Sequence, residues 1–182
     1  PRWNSDGESD PEFQTIPRVE GISIWDFYPD PDARNGDELE FTVERHRLNK
    51  TQLRKLKQRP HFRSESIELA IDYGPSYIAE HWEHVLDDTE DGGNIDRYEV
   101  LEYWGVIDKE TAEEADLDIP DEMEDLDEIQ INVWICNDQI LRLVLNPFTP
   151  TRIPYSAVPY EMNPYSFFGV GVAENMEDTQ LL

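Results

Sequence analysis

The sequence predicts an α+β fold, with a mainly antiparallel sheet and short flanking helices in a single domain. Three observations lead there. Ile129, Ile131, Val133 and Ile135 alternate along one segment and Leu141, Leu143 and Leu145 along the next, with Asn137-Asp138 between them, the pattern of two strands joined by a tight turn. Strand-like and helix-like stretches are interspersed without the regular spacing of βαβ units, which argues against a parallel sheet. The 182 residues are 38% hydrophobic and include five Trp, eight Tyr and seven Phe. A chain of that size and composition can bury one real core.

Taken in order, residues 1–20 are polar, with Asp6, Glu8 and Asp10 among Gly and Ser, and are expected to form a loose arm. Gly21 to Tyr28 alternates β-branched and aromatic residues and predicts a strand stopped by Pro29 and Pro31. Leu39, Phe41 and Val43 repeat every second residue and predict another. Asn49 or Thr51 can cap a short helix carrying Leu53 and Leu56. Ser64 or Ser66 can cap a second helix through Ile67, Ala70 and Ile71, ended by Gly74-Pro75. Ile78, Trp82, Val85 and Leu86 then form the stripe of an amphipathic helix. The Gly-rich acidic stretch Asp87 to Asp96 is expected to be a loop, Tyr98 to Ile107 a strand, and Lys109 to Ala115 a short acidic helix. After the hairpin, Pro147, Pro150, Pro154, Pro159 and Pro164 space an irregular run, and a helix is expected from Ala173 to Leu182. Trp134 and Trp82 are the two aromatics expected deep in the core.

The charge balance narrows the function. Fifteen Lys plus Arg against 41 Asp plus Glu leave a net charge of −26. A surface that acidic repels phosphate, which argues against DNA or RNA binding through a basic patch and against anionic membranes. No stretch approaches the length of an apolar membrane span and no charged-then-apolar leader is visible, so a soluble chain without a membrane partner is expected. The single cysteine, Cys136, lies in an apolar run and is expected to be a small buried hydrophobe. Pro1 in place of a start methionine, and Leu181-Leu182 inside a helical pattern, suggest a piece of a longer protein.

Four clusters invite a chemical role. His81 and His84 with Glu80 and Glu83 could face a metal from one side of a helix, but the order is not His-Glu-x-x-His, and a solvated polar face is the simpler reading. Asp87, Asp91 and Gly92 match the first, fifth and sixth positions of a calcium loop, yet Tyr98 stands where its bidentate Glu belongs. Asp121, Glu122, Glu124, Asp125, Asp127 and Glu128 put six carboxylates in eight residues, which without an accompanying base pattern describes a self-repelling exposed loop. Gly169 and Gly171 give a G-x-G without a third glycine, followed by Glu174, Glu177 and Asp178, which would repel a pyrophosphate; the glycines are expected to make a closely packed turn. No phosphate loop, nucleophile elbow or Cys-x-x-Cys is present. No residue is therefore assigned a catalytic, cofactor-binding or metal role, no cofactor is expected, and the chain is expected not to be an enzyme.

Three islands carry a resemblance. The first is Trp25-Asp26-Phe27-Tyr28-Pro29-Asp30-Pro31-Asp32-Ala33, and the second is Tyr98-Glu99-Val100-Leu101-Glu102-Tyr103-Trp104-Gly105. The third runs from the strand Ile140 to Phe148 through Val158-Pro159-Tyr160-Glu161 to Phe168-Gly169-Val170-Gly171, with Glu174, Asp178 and Gln180 following. In this order they resemble the portal, or head-tail connector, proteins of short-tailed phages and related prophages, and together they span most of residues 21–182. No pattern of a long stem helix, crown or complete tunnel loop is present, so the resemblance implies the wing region just before the stem. It implies a portal wing-like domain at 21–168 and, at 169–182, the start of a helix leading toward the stem. It further implies a structural virion protein in a dodecameric homo-oligomer, found at the capsid portal vertex and, during assembly, in the host cytoplasm. Terminase, capsid, scaffold and tail adaptor proteins would be its partners, and DNA would pass through without sequence-specific binding. Two other readings remain open: an acidic protein-interaction or DNA-mimic domain, and a metal-dependent nuclease built on the 87–96 or 121–128 loops.

Overall fold

Hydrophobic alternation organises the chain around five strands, and the computed structural model describes residues 2–3, 9–10, 19–78, 96–115, 117–120, 123 and 126–180. Strands β1 (Arg2–Trp3) and β2 (Ser9–Asp10) pair with each other inside the segment expected to be a loose arm. The main sheet contains β3 (Phe27–Pro29), β4 (Thr42–Asn49), β5 (Arg97–Asp108), β6 (Glu128–Cys136) and β7 (Gln139–Leu145), all antiparallel and in sequence order. The α+β fold is thus an antiparallel meander with helices inserted between its strands.

Side chains alternate across a sheet, and here both faces are covered. On one face Tyr98, Val100, Trp134, Cys136 and Leu141 pack against Leu53 and Leu56 from helix α1 (Lys50–Lys55) and the turn after it, and against Ile67, Ala70 and Ile71 from α2 (Ser64–Tyr73). Leu53, Ile67 and Leu141 are fully buried, a burial worth about 1.5–3 kcal/mol for each. On the other face Ile129, Ile131 and Val133 pack with Ala112 of α3 (Lys109–Glu114) and with Leu117 and Ile119.

Local chemistry sets the ends of these elements. The Asn49 side chain accepts from the Gln52 backbone N–H while the Gln52 side chain accepts from the Asn49 N–H, a reciprocal cap for α1. Helix α2 includes Ser64 and is preceded by Arg63 without a side-chain cap, one residue from the expected start; it stops at Gly74, whose φ of 94° suits glycine. Asn137 and Asp138 both lie in the left-handed region, at φ 49° and 59°, the geometry that a two-residue hairpin turn demands. Cys136 is buried, as expected, and burial pushes its thiol up to about 11. Trp134 is 8% exposed.

Two strand expectations change. Gly21 to Tyr28 does not run as one strand: Ile24–Asp26 form a 3-10 turn opened by the Ser23 side chain, and only Phe27–Pro29 pair with β4. The turn carries the Asp26 carboxylate inward to Arg45 at 3.0 Å and Arg47 at 3.0 Å, leaving Ile24 and Trp25 exposed. A buried arginine without that carboxylate would be costly, so the ion pairs override the local alternation. The strand expected around Leu39 to Val43 begins only at Thr42 and continues to Asn49. The terminal helix, α4, spans Val172–Gln180. Of the helix expected from Ile78 to Leu86, Ile78 is not helical and is 81% exposed, while Trp82, Val85 and Leu86 lie outside the described residues.

Candidate functional site

Polar side chains cross the middle of the helix-covered face in an otherwise apolar setting. Thr42, Glu44 and His46 project from alternate positions of β4, Glu102 and Trp104 from β5, Asn132 and Trp134 from β6, and Arg142 from β7. Register makes them neighbours: Glu44 lies directly opposite Glu102, Glu102 opposite Trp134, and Trp134 opposite Arg142.

The resulting network is continuous. His46 Nε2 stands 2.9 Å from Glu102 Oε2, and His46 Nδ1 stands 3.4 Å from Glu44 Oε1. The other oxygen of Glu102 accepts from Trp104 Nε1 at 2.8 Å and from Asn132 Nδ2 at 2.9 Å. Asn132 Oδ1 in turn accepts from Arg142 Nη1 at 3.1 Å. The other oxygen of Glu44 accepts from the Tyr155 hydroxyl at 2.7 Å. The imidazole of His46 stacks on Trp134, with ring centroids 4.7 Å apart and planes within 7°. Burial, reinforced by the negative charges of Glu102 and Glu44, pushes the Tyr155 phenol well above its ordinary range and keeps it a donor. Burial lowers Arg142, Glu102 acting in the opposite sense and Arg59 in the same one.

The network opens on a cleft of about 930 Å³ between the sheet and the run after β7. Tyr155 and Phe167 reach back from that run to Phe27, with centroids 5.1 and 5.9 Å away, and Phe148 lies 6.0 Å from Trp104. Asn146 helps fix the departing chain by accepting from the Phe148 N–H and donating to the Arg152 carbonyl. Val170 N–H donates to Glu161 carbonyl at 2.9 Å, closing the loop before α4. A Cβ at Gly169 would collide with that same carbonyl and with Pro159, so this glycine is required by close approach, as the sequence suggested. Gly171 differs, because a Cβ there would meet open space.

Chemically, the arrangement joins one imidazole, two carboxylates and a phenol at the edge of a cleft. Glu44, His46 and Glu102 offer ligand atoms that all lie within 4.8 Å of one another, the one such three-residue metal-ligand group among the described residues. None of the three was singled out in the sequence as a ligand: Glu102 entered only within the second island, and Glu44 and His46 sit among ordinary charged positions of a strand. The signal was present only as polar residues at alternate positions of β4, and without a register it points nowhere. Of the clusters that the sequence did suggest, His81 and His84 with Glu80 and Glu83, and the loop Asp87 to Gly92, lie outside the described residues. So do Asp121, Glu122, Glu124 and Asp125. Asp127 lies just before β6, its carbonyl accepting from Lys109 N–H, and Glu128 opens the strand opposite Asp108. Comparison with protein-family models and with curated protein sequences gives no match. Among the described residues no helix is long and apolar enough to cross a membrane.

Proposed function

We propose that this chain is part of a phage portal, a structural component of the ring through which the genome enters and leaves the capsid, working without catalysis. The observation that carries this reading is the way the three portal-like islands converge. Phe27 of the first packs on Tyr155 and Phe167 of the C-terminal run, and Trp104 of the second packs on Phe148. The second island is the central strand of the sheet and the first is its edge strand. Residues remote in sequence therefore belong to one packed unit, as expected if the islands are the framework of a shared fold.

The surface also suits assembly. Val158, Tyr160, Met162 and Tyr165 are each more than 70% exposed along the C-terminal run. Large apolar groups displayed together mark a surface that a neighbouring subunit would cover. The net charge of −26 suits a conduit that DNA must slide through without sticking. In this reading the partners are further copies of the same protein, with terminase, capsid, scaffold and tail adaptor proteins at the vertex.

Light scattering and electron microscopy of the full-length gene product at low and high salt test the proposal. Rings with an axial channel wide enough for duplex DNA are expected, and added salt should favour association by screening like charges. A full-length protein that stays monomeric in all conditions would remove the portal reading. Stable capture of a basic DNA-binding protein by that monomer would put the acidic-mimic reading in its place.

A further inference from the structure

We propose that Glu44, His46 and Glu102 form a binding site for one divalent transition-metal ion of the Zn²⁺ or Mn²⁺ class, a structural staple beneath the C-terminal run. Two independent observations carry it. Glu44 and Glu102 lie directly opposite each other on neighbouring strands, on a face where Glu102 is buried. Like charges in that position repel, so the sheet needs a positive charge between them. The imidazole that lies between them turns Nε2 to Glu102 and Nδ1 to Glu44, and ligand atoms of all three residues lie within 4.8 Å of one another. An ion seated among them would supply that positive charge, held by one ring nitrogen and by one oxygen of each carboxylate.

The surroundings are those of a built site. Tyr155 occupies the outer oxygen of Glu44, while Trp104 and Asn132 occupy the outer oxygen of Glu102. Each carboxylate is left with a single oxygen facing the imidazole, and Trp134 fixes the imidazole plane. Such outer partners orient ligands and raise their affinity. Ligands about 2.1 Å from a shared ion stand roughly 3–4 Å apart, so the present spread needs only small side-chain movements to close. One nitrogen and two carboxylate oxygens suit Zn²⁺ or Mn²⁺ better than a soft thiophilic ion, and water from the cleft would complete the coordination. Because Tyr155 belongs to the C-terminal run and bonds to a ligand, the ion would also tighten that run against the sheet.

Calorimetric titration of the chelator-treated protein with Zn²⁺, and separately with Mn²⁺, tests this. One site per chain is expected, at least tenfold tighter than the weak binding of surface carboxylates. His46→Gln and Glu102→Gln should each abolish it, while the double variant His81→Gln/His84→Gln should retain it. Histidine-ring NMR supplies a second measurement on the unmutated protein, with the His46 resonances moving first and stoichiometrically. Circular dichroism establishes that each variant is folded, and Glu44→Gln, whose amide oxygen can still accept from Tyr155, provides a milder substitution that should weaken binding at least tenfold. Only weak, unsaturable binding, or a tight site that survives His46→Gln or disappears with His81 and His84, would overturn the proposal. Rings in the portal experiment neither require nor exclude this site, so the two ideas fail separately.

Discussion

Trp134 holds the sheet to its helical layer and to the polar network at once, and its replacement separates these roles. The indole is 8% exposed, stacks face to face on His46 and receives Phe62 edge-on at 5.4 Å. At about 25 cal/mol per Å² and roughly 200 Å² of buried aromatic surface, its burial is worth on the order of 5 kcal/mol. Trp134→Ala recovers part of that through relaxation and should cost about 3–5 kcal/mol. The indole N–H, however, has no hydrogen-bond partner among the described residues. A buried unpaired donor costs about 1–3 kcal/mol, so Trp134→Phe gives up volume but sheds that penalty. The phenylalanine variant should therefore stay within about 1 kcal/mol of the parent. Urea unfolding followed by far-UV circular dichroism is the assay, since four other tryptophans would confuse fluorescence. With a slope of about 2 kcal/mol per molar, the alanine midpoint should fall by roughly 2 M and the phenylalanine midpoint by less than 0.5 M. Equal losses in the two variants, or an alanine variant within 1 kcal/mol of the parent, would refute the assignment of this face.

Three further outcomes follow from the same structure. Asp26→Ala should cost about 3–5 kcal/mol in urea unfolding, because Arg45 stays buried while losing its 3.0 Å carboxylate partner; a loss below 1 kcal/mol would contradict this. In the hairpin, Asp138→Gly should be neutral or stabilising by up to about 1 kcal/mol, since glycine accepts φ 59° without strain. Asn137→Gly should instead destabilise by about 1–2 kcal/mol despite the same backbone freedom, because Asn137 Nδ2 donates to the Ala70 and Gly74 carbonyls at 2.8 and 2.9 Å. Thermal melts of the two variants that fall together would refute the contrast. Burial raises Cys136 to about 11 from its unfolded value of 9.0, so its contribution to stability is complete below pH 9 and is lost as pH climbs toward 11. The loss is about 1.4 kcal/mol per pH unit at most, and Cys136→Ala should flatten the pH dependence between about 9 and 11; identical slopes in parent and variant would exclude it.

What the sequence determined by itself is what short-range physics controls. The hairpin at Asn137-Asp138, the cap at Asn49, the stop at Gly74 and the burial of Cys136 and Trp134 each depend on residues within a few positions, or on the alternation of one strand. The class of fold follows from the sum of such local signals. The break at Ile24–Asp26 was not legible, because its cause is an arginine 19 residues further along the chain. The polar site was less legible still. His46 meets Glu102 across 56 residues, and Glu44 meets Tyr155 across 111. A strand shows which residues share a face, but only pairing shows which residues on two strands stand opposite, and a shift of one residue would turn every side chain away. Register, and the return of the proline-rich run over the sheet, are decided by packing across the whole domain, so the imidazole between two carboxylates exists only in the folded chain.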